Sequence, residues 1–228
     1  GFERLPTPSE GDLFFDFEGD PLYGERGLEY LFGYVTVDED EPTFEALWGR
    51  DYAEEKSAFE QFIDFVNARR TKYPDLHIYH YASYEVTAIK RLAGWHATRE
   101  LEVDQLLRDK VFVDLYKVVK ESMRISRPSY SIKEVETFYR EARETEVSEG
   151  GASIIKFEEW LETGDDSILE AIAEYNEDDC VSTLECRDWL LERRGEAEKQ
   201  FGRTFDWFDP APGEDRGGRR ELPDHVES

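Results

Sequence analysis

The sequence predicts a mixed α/β fold, one sheet holding both antiparallel and parallel strands with helices on its flanks. Three observations carry that expectation. Three strand-like segments follow one another at the start, the hydrophobic period then alternates between helix and strand, and the last third is helical. With 228 residues, 39% hydrophobic and 14% aromatic, the chain has the material for a real core. No apolar run approaches the roughly 20 residues that span a bilayer.

Residues 1–10 (GFERLPTPSE) read as a polar lead-in. Leu13-Phe14-Phe15-Asp16-Phe17-Glu18 is apolar on both faces apart from its acids, the mark of a buried central strand. Gly19-Asp20-Pro21 ends it, and Tyr23 to Gly27 is a loop. Leu28 to Val37 and Thr43 to Trp48 are two more strands joined by a DEDEP turn, which makes an antiparallel meander. From Ala58 to Arg69 the period changes: Phe59, Phe62, Ile63 and Val66 form one stripe of an amphipathic helix. Leu76 to Tyr81 returns to strand, and a helix follows with Tyr84, Ala88, Ile89 and Leu92 on one side. Val111 to Leu115 is a further short strand. Helices are expected around 131–140, around 152–162 and from about Ser167 to Arg193. The order is β-β-β-α-β-α-β-α-α, with one domain over residues 1–201. Residues 202–228, rich in Pro, Gly and charge, are expected to be a flexible tail or linker.

Twenty-eight Lys and Arg stand against 54 Asp and Glu, a formal charge of −26. Such a surface repels phosphate at long range and excludes non-specific nucleic-acid or anionic-membrane binding by the surface as a whole. It leaves room for a local basic patch or a cation-filled acidic site. Cys180 and Cys186 lie six residues apart in one helix, about 9 Å along its axis. A disulfide needs Cα atoms within about 7 Å, so two free thiols and a cytoplasmic location are expected. The only Met is Met123, so the chain is expected to be a fragment of something longer or a processed form.

The chemistry lies in the carboxylates. Asp16 and Glu18 are two apart in a strand, so they share a face. On a half-buried face two such charges repel, at a cost of roughly 4 kcal/mol for 4 Å separation and an effective dielectric near 20. Protonation, a basic partner or a divalent cation relieves it; solvated strand ends carry such pairs as well. Tyr175 and Asp179 in Tyr-Asn-Glu-Asp-Asp are four apart, so phenol and carboxylate share a helix face that continues through Ile172 toward Val181 and Leu184. The neighbouring acids also allow a solvated acidic face there. Glu85 begins the helix after His80-Tyr81-Ala82-Ser83, where the helix dipole alone favours an acid. His77 and His80 alternate faces in their strand and read as packed or hydrogen-bonded residues.

A D-x-E strand, a carboxylate after a later strand and a helical Y-x-x-x-D together resemble the DEDD superfamily of metal-dependent 3′–5′ exonucleases, in its tyrosine branch. More closely, GDLFFDFEGDP, GLEYLFG, IYHYASYE, FVDL, YSIKEVE and YNEDDC are similar to the ribonuclease-H-like domain of RecB-family nucleases. Such domains sit beside a RecB-like nuclease module, often in one polypeptide with a helicase. The resemblance runs from about Gly11 to about Leu191. It implies a ribonuclease-H-like fold and a 3′–5′ exonuclease acting on single-stranded DNA or RNA with two Mg2+ or Mn2+ ions. It also implies Asp16, Glu18, Glu85 and Asp179 as metal ligands, and Tyr175 as the residue that orients the attacking water. Glu85 and Tyr81 depart from the family, where many relatives carry Asp and Asn. Asp114 is either a compensating ligand or a strand-end cap, and Asp20 and Asp178 are further stand-ins.

Two-metal cleavage holds cations on both sides of the scissile phosphate, and carboxylates are the ligands that Mg2+ and Mn2+ prefer. The gathered acids therefore become the binding site. For the nucleic acid, residues 111–133 carry Lys117, Lys120, Arg124, Arg127 and Lys133 against Asp114 and Glu121, with Tyr116 and Tyr130 placed among them to stack on bases. Ordinary surface bases of a helix would look the same. The competing functions are a catalytically weak binding or regulatory domain of a larger nuclease–helicase protein, and an acidic interaction module. No Walker A motif is present, so an ATPase is not expected.

Overall fold

A computed structural model describes residues 1–38, 41–141 and 151–209. The strands β1 (Leu13–Asp20), β2 (Leu28–Asp38) and β3 (Glu41–Trp48) form the expected antiparallel meander. Strand β4 (Ile78–His80) adds to β1 in parallel and β5 (Phe112–Asp114) adds to β4, also in parallel. The sheet order is β3-β2-β1-β4-β5, with β1 at its centre.

Helix α1 (Tyr52–Lys72) begins earlier than its apolar stripe, because the Asp51 carboxylate caps it by accepting from the N–H groups of Ala53 and Glu54, each at 2.8 Å. After β4 comes α2 (Tyr84–His96), and then α3 (Glu100–Arg108), which is not among the expected helices. The break between them is made by Ala97 and Arg99 in the left-handed region, at φ 47° and 53°, with no Gly or Pro to mark it. A second unanticipated helix, α4 (Leu115–Ser122), starts directly from β5 with Asp114 as its cap. The expected helix near 131–140 is only α5 (Ile132–Val135) followed by a 3-10 turn (Glu136–Phe138). Helix α6 (Ala152–Thr163) is close to expectation, and α7 (Asp166–Phe201) is the long helix, extended by two turns.

The pleat of β1 divides the core. Leu13, Phe15 and Phe17 face α1, α2 and α3, with Phe15 stacked on Phe62 at 4.3 Å between ring centroids. Phe14 faces the other way with Val35 and Tyr79, against α4 (Val118, Val119) and α7 (Cys180, Leu184, Leu190). Asp16 and Glu18 share the parity of Phe14 and so project toward α7. Both cysteines are free and buried.

Helix α7 comes so near to β2 that one position there must be glycine. A Cβ on Gly33, which pairs with Asp16, would lie 1.5 Å from Asn176 Oδ1 and 3.0 Å from the Phe44 ring. Helix α6 covers the end of the meander, where Phe157 stacks on Tyr30 at 4.0 Å. Beyond the glycine that ends α7, residues 202–209 turn back onto the N-terminal segment. Phe208 N–H donates to Leu5 O at 2.9 Å, and the buried Arg194 donates to the carbonyls of Phe2, Phe205 and Asp206 beneath Trp207. The remainder of the expected tail lies outside the described residues. Among the described residues no helix is long and apolar enough to cross a membrane.

Candidate metal centre

Two of the expected ligands come from the central strand and one from the helix laid across it. Asp16, Glu18 and Asp179 each offer a carboxylate oxygen, and these oxygens lie within 4.8 Å of one another. Glu18 is buried, while Asp16 and Asp179 are half-buried by residue surface. Asn176 Nδ2 donates to Asp16 Oδ2 at 3.0 Å, and Ser153 Oγ at the start of α6 donates to Glu18 Oε2 at 2.6 Å. A neutral donor thus fixes each strand carboxylate without neutralising it.

The electrostatic consequence is large. Burial pushes the Asp16 carboxyl well above its ordinary range, and the charges of Asp179, Glu18 and Glu85 push it further. Burial likewise raises Glu18 to about 7, with Asp179 adding to the rise and the Ser153 bond opposing it. Carboxylates gathered in this way disfavour their own ionisation, and a divalent cation reverses that balance. The set is all hard oxygen, the chemistry that Mg2+ and Mn2+ take. The residues present therefore fit such an ion.

A scan against family models matches the chain over residues 13–191, more than half its length, to the RNase H superfamily. The chain belongs to the RNase H superfamily. No curated protein matches it. RNase H superfamily domains characteristically hydrolyse nucleic acids and employ divalent metals, so nuclease-type chemistry is what the fold and the carboxylate cluster support together.

The other expected site residues are distributed around this RNase H-type cluster. Glu85 is buried at the start of α2, with Oε2 3.1 Å from His80 Nδ1. It stands outside the three-carboxylate group yet near enough for its charge to bear on Asp16. Tyr175 is half-buried one turn before Asp179, with Lys133 Nζ 6.0 Å from its ring centroid. Asp114 is a helix cap, accepting from the N–H groups of Ala82 at 3.1 Å and Lys117 at 3.4 Å. Asp20 accepts from Leu22 N–H, and Asp178 pairs with Arg140. His77, just before β4, lies 3.3 Å from Asp12, so both histidines are hydrogen-bonded as expected.

The basic segment is split by the fold. Tyr116, Lys117 and Lys120 are on α4, where Lys117 pairs with Asp114 at 3.2 Å and Lys120 Nζ lies 3.3 Å from the Tyr116 hydroxyl. Arg124 and Arg127 are exposed in the following loop, with Arg127 5.8 Å from the ring centroid of Phe138. Tyr130 is half-buried: its carbonyl accepts from the Tyr81 hydroxyl at 2.6 Å, and its own hydroxyl donates to Met123 O.

Five residues around the cluster or beside it have no role expected from the sequence. Asn176, on the inward stripe of α7 between Ile172 and Cys180, is a buried amide in an otherwise apolar row. That pattern was available in the sequence. Ser153 and Gly33 had no sequence signal, since their roles depend on which elements meet. Glu29 is a lone acid within the apolar strand Leu-Glu-Tyr-Leu-Phe, and its buried carboxylate accepts from Tyr84 and Arg91. Burial raises it to about 7 against the pull of Arg91. Next to it Glu55, also buried, accepts from Glu29 N–H at 2.8 Å and bonds His96 and Arg26.

Proposed function

We propose that this domain is a divalent-metal-dependent exonuclease that removes nucleotides from the 3′ ends of single-stranded DNA or RNA. The observation that carries the proposal is the meeting of Asp16, Glu18 and Asp179 within 4.8 Å on a buried strand and an adjoining helix. Asp16, Glu18 and Asp179 would hold the metal, and Glu85, whose charge bears on Asp16, would be the fourth ligand. When bound, two Mg2+ or Mn2+ ions supply activation of water and stabilisation of charge on the phosphate and the leaving oxygen. Asn176 holds Asp16 and Ser153 holds Glu18, so both ligands are oriented before any ion arrives. Tyr175, a turn before Asp179, is the residue to orient the attacking water and to help in its deprotonation. The resemblance further supports a place beside RecB-like nuclease and helicase modules in one polypeptide, and the two free thiols a cytoplasmic one.

The pairing of Glu85 with His80 favours one second reading, a domain that holds nucleic acid but cuts it weakly. Digestion of 5′-labelled single strands with Mg2+ or Mn2+ separates the two. Stepwise shortening by the wild type, lost in Asp16→Ala and Asp179→Asn, is the expected result. Binding without cutting supports the second reading, and neither binding nor cutting overturns both.

A further inference from the structure

A cavity of about 430 Å³ opens at the carboxyl ends of β4 and β5, between α2 and α4, and it is distinct from the carboxylate cluster. None of Asp16, Glu18 and Asp179 lines it. Its size falls within the roughly 300–1,000 Å³ of small-molecule sites. The charge of its wall is opposite to that of the protein. The whole chain has 28 bases to 54 acids, whereas this wall has Arg4, Lys90, Lys110 and Lys117 against Asp114 alone.

Ion pairing inside the protein accounts for half of those cations. Arg4 is engaged by Glu121 at 2.6 Å and Lys117 by Asp114 at 3.2 Å. Lys90 and Lys110 make no ion pair among the described residues; Lys110 Nζ lies 5.3 Å from the centroid of the Phe208 ring. Both lysines are exposed at the cavity, so their ammonium groups are open to an anion. The same wall carries the rings of Phe112 and Phe208. Inorganic anions need only the charges and apolar ligands only the rings. A nucleotide, with a phosphate and a flat base on one sugar, uses both.

The cavity also adjoins the proposed catalytic cluster. His80 lines it and is bonded at 3.1 Å to Glu85, the acid that flanks Asp16.

We propose that this cavity is a nucleotide-binding site, in which Lys90 and Lys110 hold a phosphate group and Phe112 and Phe208 contact the sugar or base. Its choice of ligand rests on the nuclease reading, because that reading gives nucleic acid to the cluster that His80 and Glu85 adjoin. Free mononucleotides share the chemistry, so two probes distinguish the sources.

The test uses the whole chain in EDTA, so that nothing is cut. One arm follows a 5′-fluorescein single strand of twelve nucleotides by anisotropy across a salt series; the other titrates adenosine monophosphate by calorimetry. Lys90→Glu with Lys110→Glu is compared with a control pair of equal charge change at exposed positions elsewhere, Lys56→Glu with Lys199→Glu. Losing the one phosphate that both lysines hold lowers the log–log salt slope for a single strand by about 0.7, and the two reversed charges weaken binding roughly tenfold or more at moderate salt. Loss of strand binding alone assigns the cavity to a unit of the strand. Loss of the mononucleotide as well assigns it to nucleotides generally. If the cavity pair binds both probes as the control pair does, or the wild type binds neither, the proposal is overturned. The nuclease reading is judged separately, by whether Asp179→Asn abolishes metal-dependent cutting.

Discussion

Replacing Glu18 with Gln removes a buried charge while keeping an oxygen for Ser153 to donate to. The folded protein holds the Glu18 proton up to about 7, against an ordinary 4.5. Between those values the folded state is protonated where the unfolded chain is not, so stability falls as pH rises through that window and stays lost above it. The interval of about 2.5 units corresponds to roughly 3 kcal/mol at 1.36 kcal/mol per unit. In EDTA at pH 8, Glu18→Gln is therefore expected to be more stable than the wild type by up to about 3 kcal/mol. For a domain of this size each kcal/mol moves Tm by about 2–4 °C, so a rise of about 6–12 °C is the upper bound. At pH 4.5 the difference should nearly vanish, because Glu18 is then neutral in the folded protein. Excess Mn2+ should narrow that lead at pH 8: an ion at 100 times its Kd stabilises the wild type by about 2.7 kcal/mol, and the variant by less. Thermal melts at two pH values, with EDTA or Mn2+, measure all of this. A variant that melts at or below the wild type in EDTA at pH 8 would refute the claim that the cluster is strained by its own charge.

Gly33→Ala places a methyl group 1.5 Å from Asn176 Oδ1, so α7 must shift or Asn176 must leave Asp16. A loss of about 1–3 kcal/mol, with weakened Mn2+ stabilisation, is expected in melts, and Asn176→Ala in the same chain should recover part of it. Tyr175→Phe should slow cutting while leaving Mn2+ affinity nearly intact in calorimetry; an unchanged rate removes Tyr175 from the mechanism. Arg194→Met strands the carbonyls of Phe2, Phe205 and Asp206, so residues 202–209 should become accessible in limited proteolysis and Tm should fall.

Much of the fold was legible because it follows from period. The meander, the stripe of Phe59, Phe62, Ile63 and Val66, and the long last helix all declare themselves in spacing. Helices α3 and α4 did not. One begins after left-handed Ala97 and Arg99, residue types that carry no turn signal, and the other leaves β5 without a connecting residue. Glu29 and Asn176 were visible as polar residues in apolar rows, but their partners Arg91 and Asp16 lie 62 and 160 residues away.

By itself the sequence determined the alternation that turns Asp16 and Glu18 to one face and the four-residue spacing that sets Asp179 one turn beyond Tyr175, since strand and helix geometry are local. Only the tertiary structure decided that those faces meet. The glycine at position 33 admits α7 to within contact of the sheet, and Ser153 closes over Glu18 from a helix 135 residues further along the chain. Like charges are brought together against their own repulsion by the packing of the surrounding core, and that energy is distributed over the whole chain.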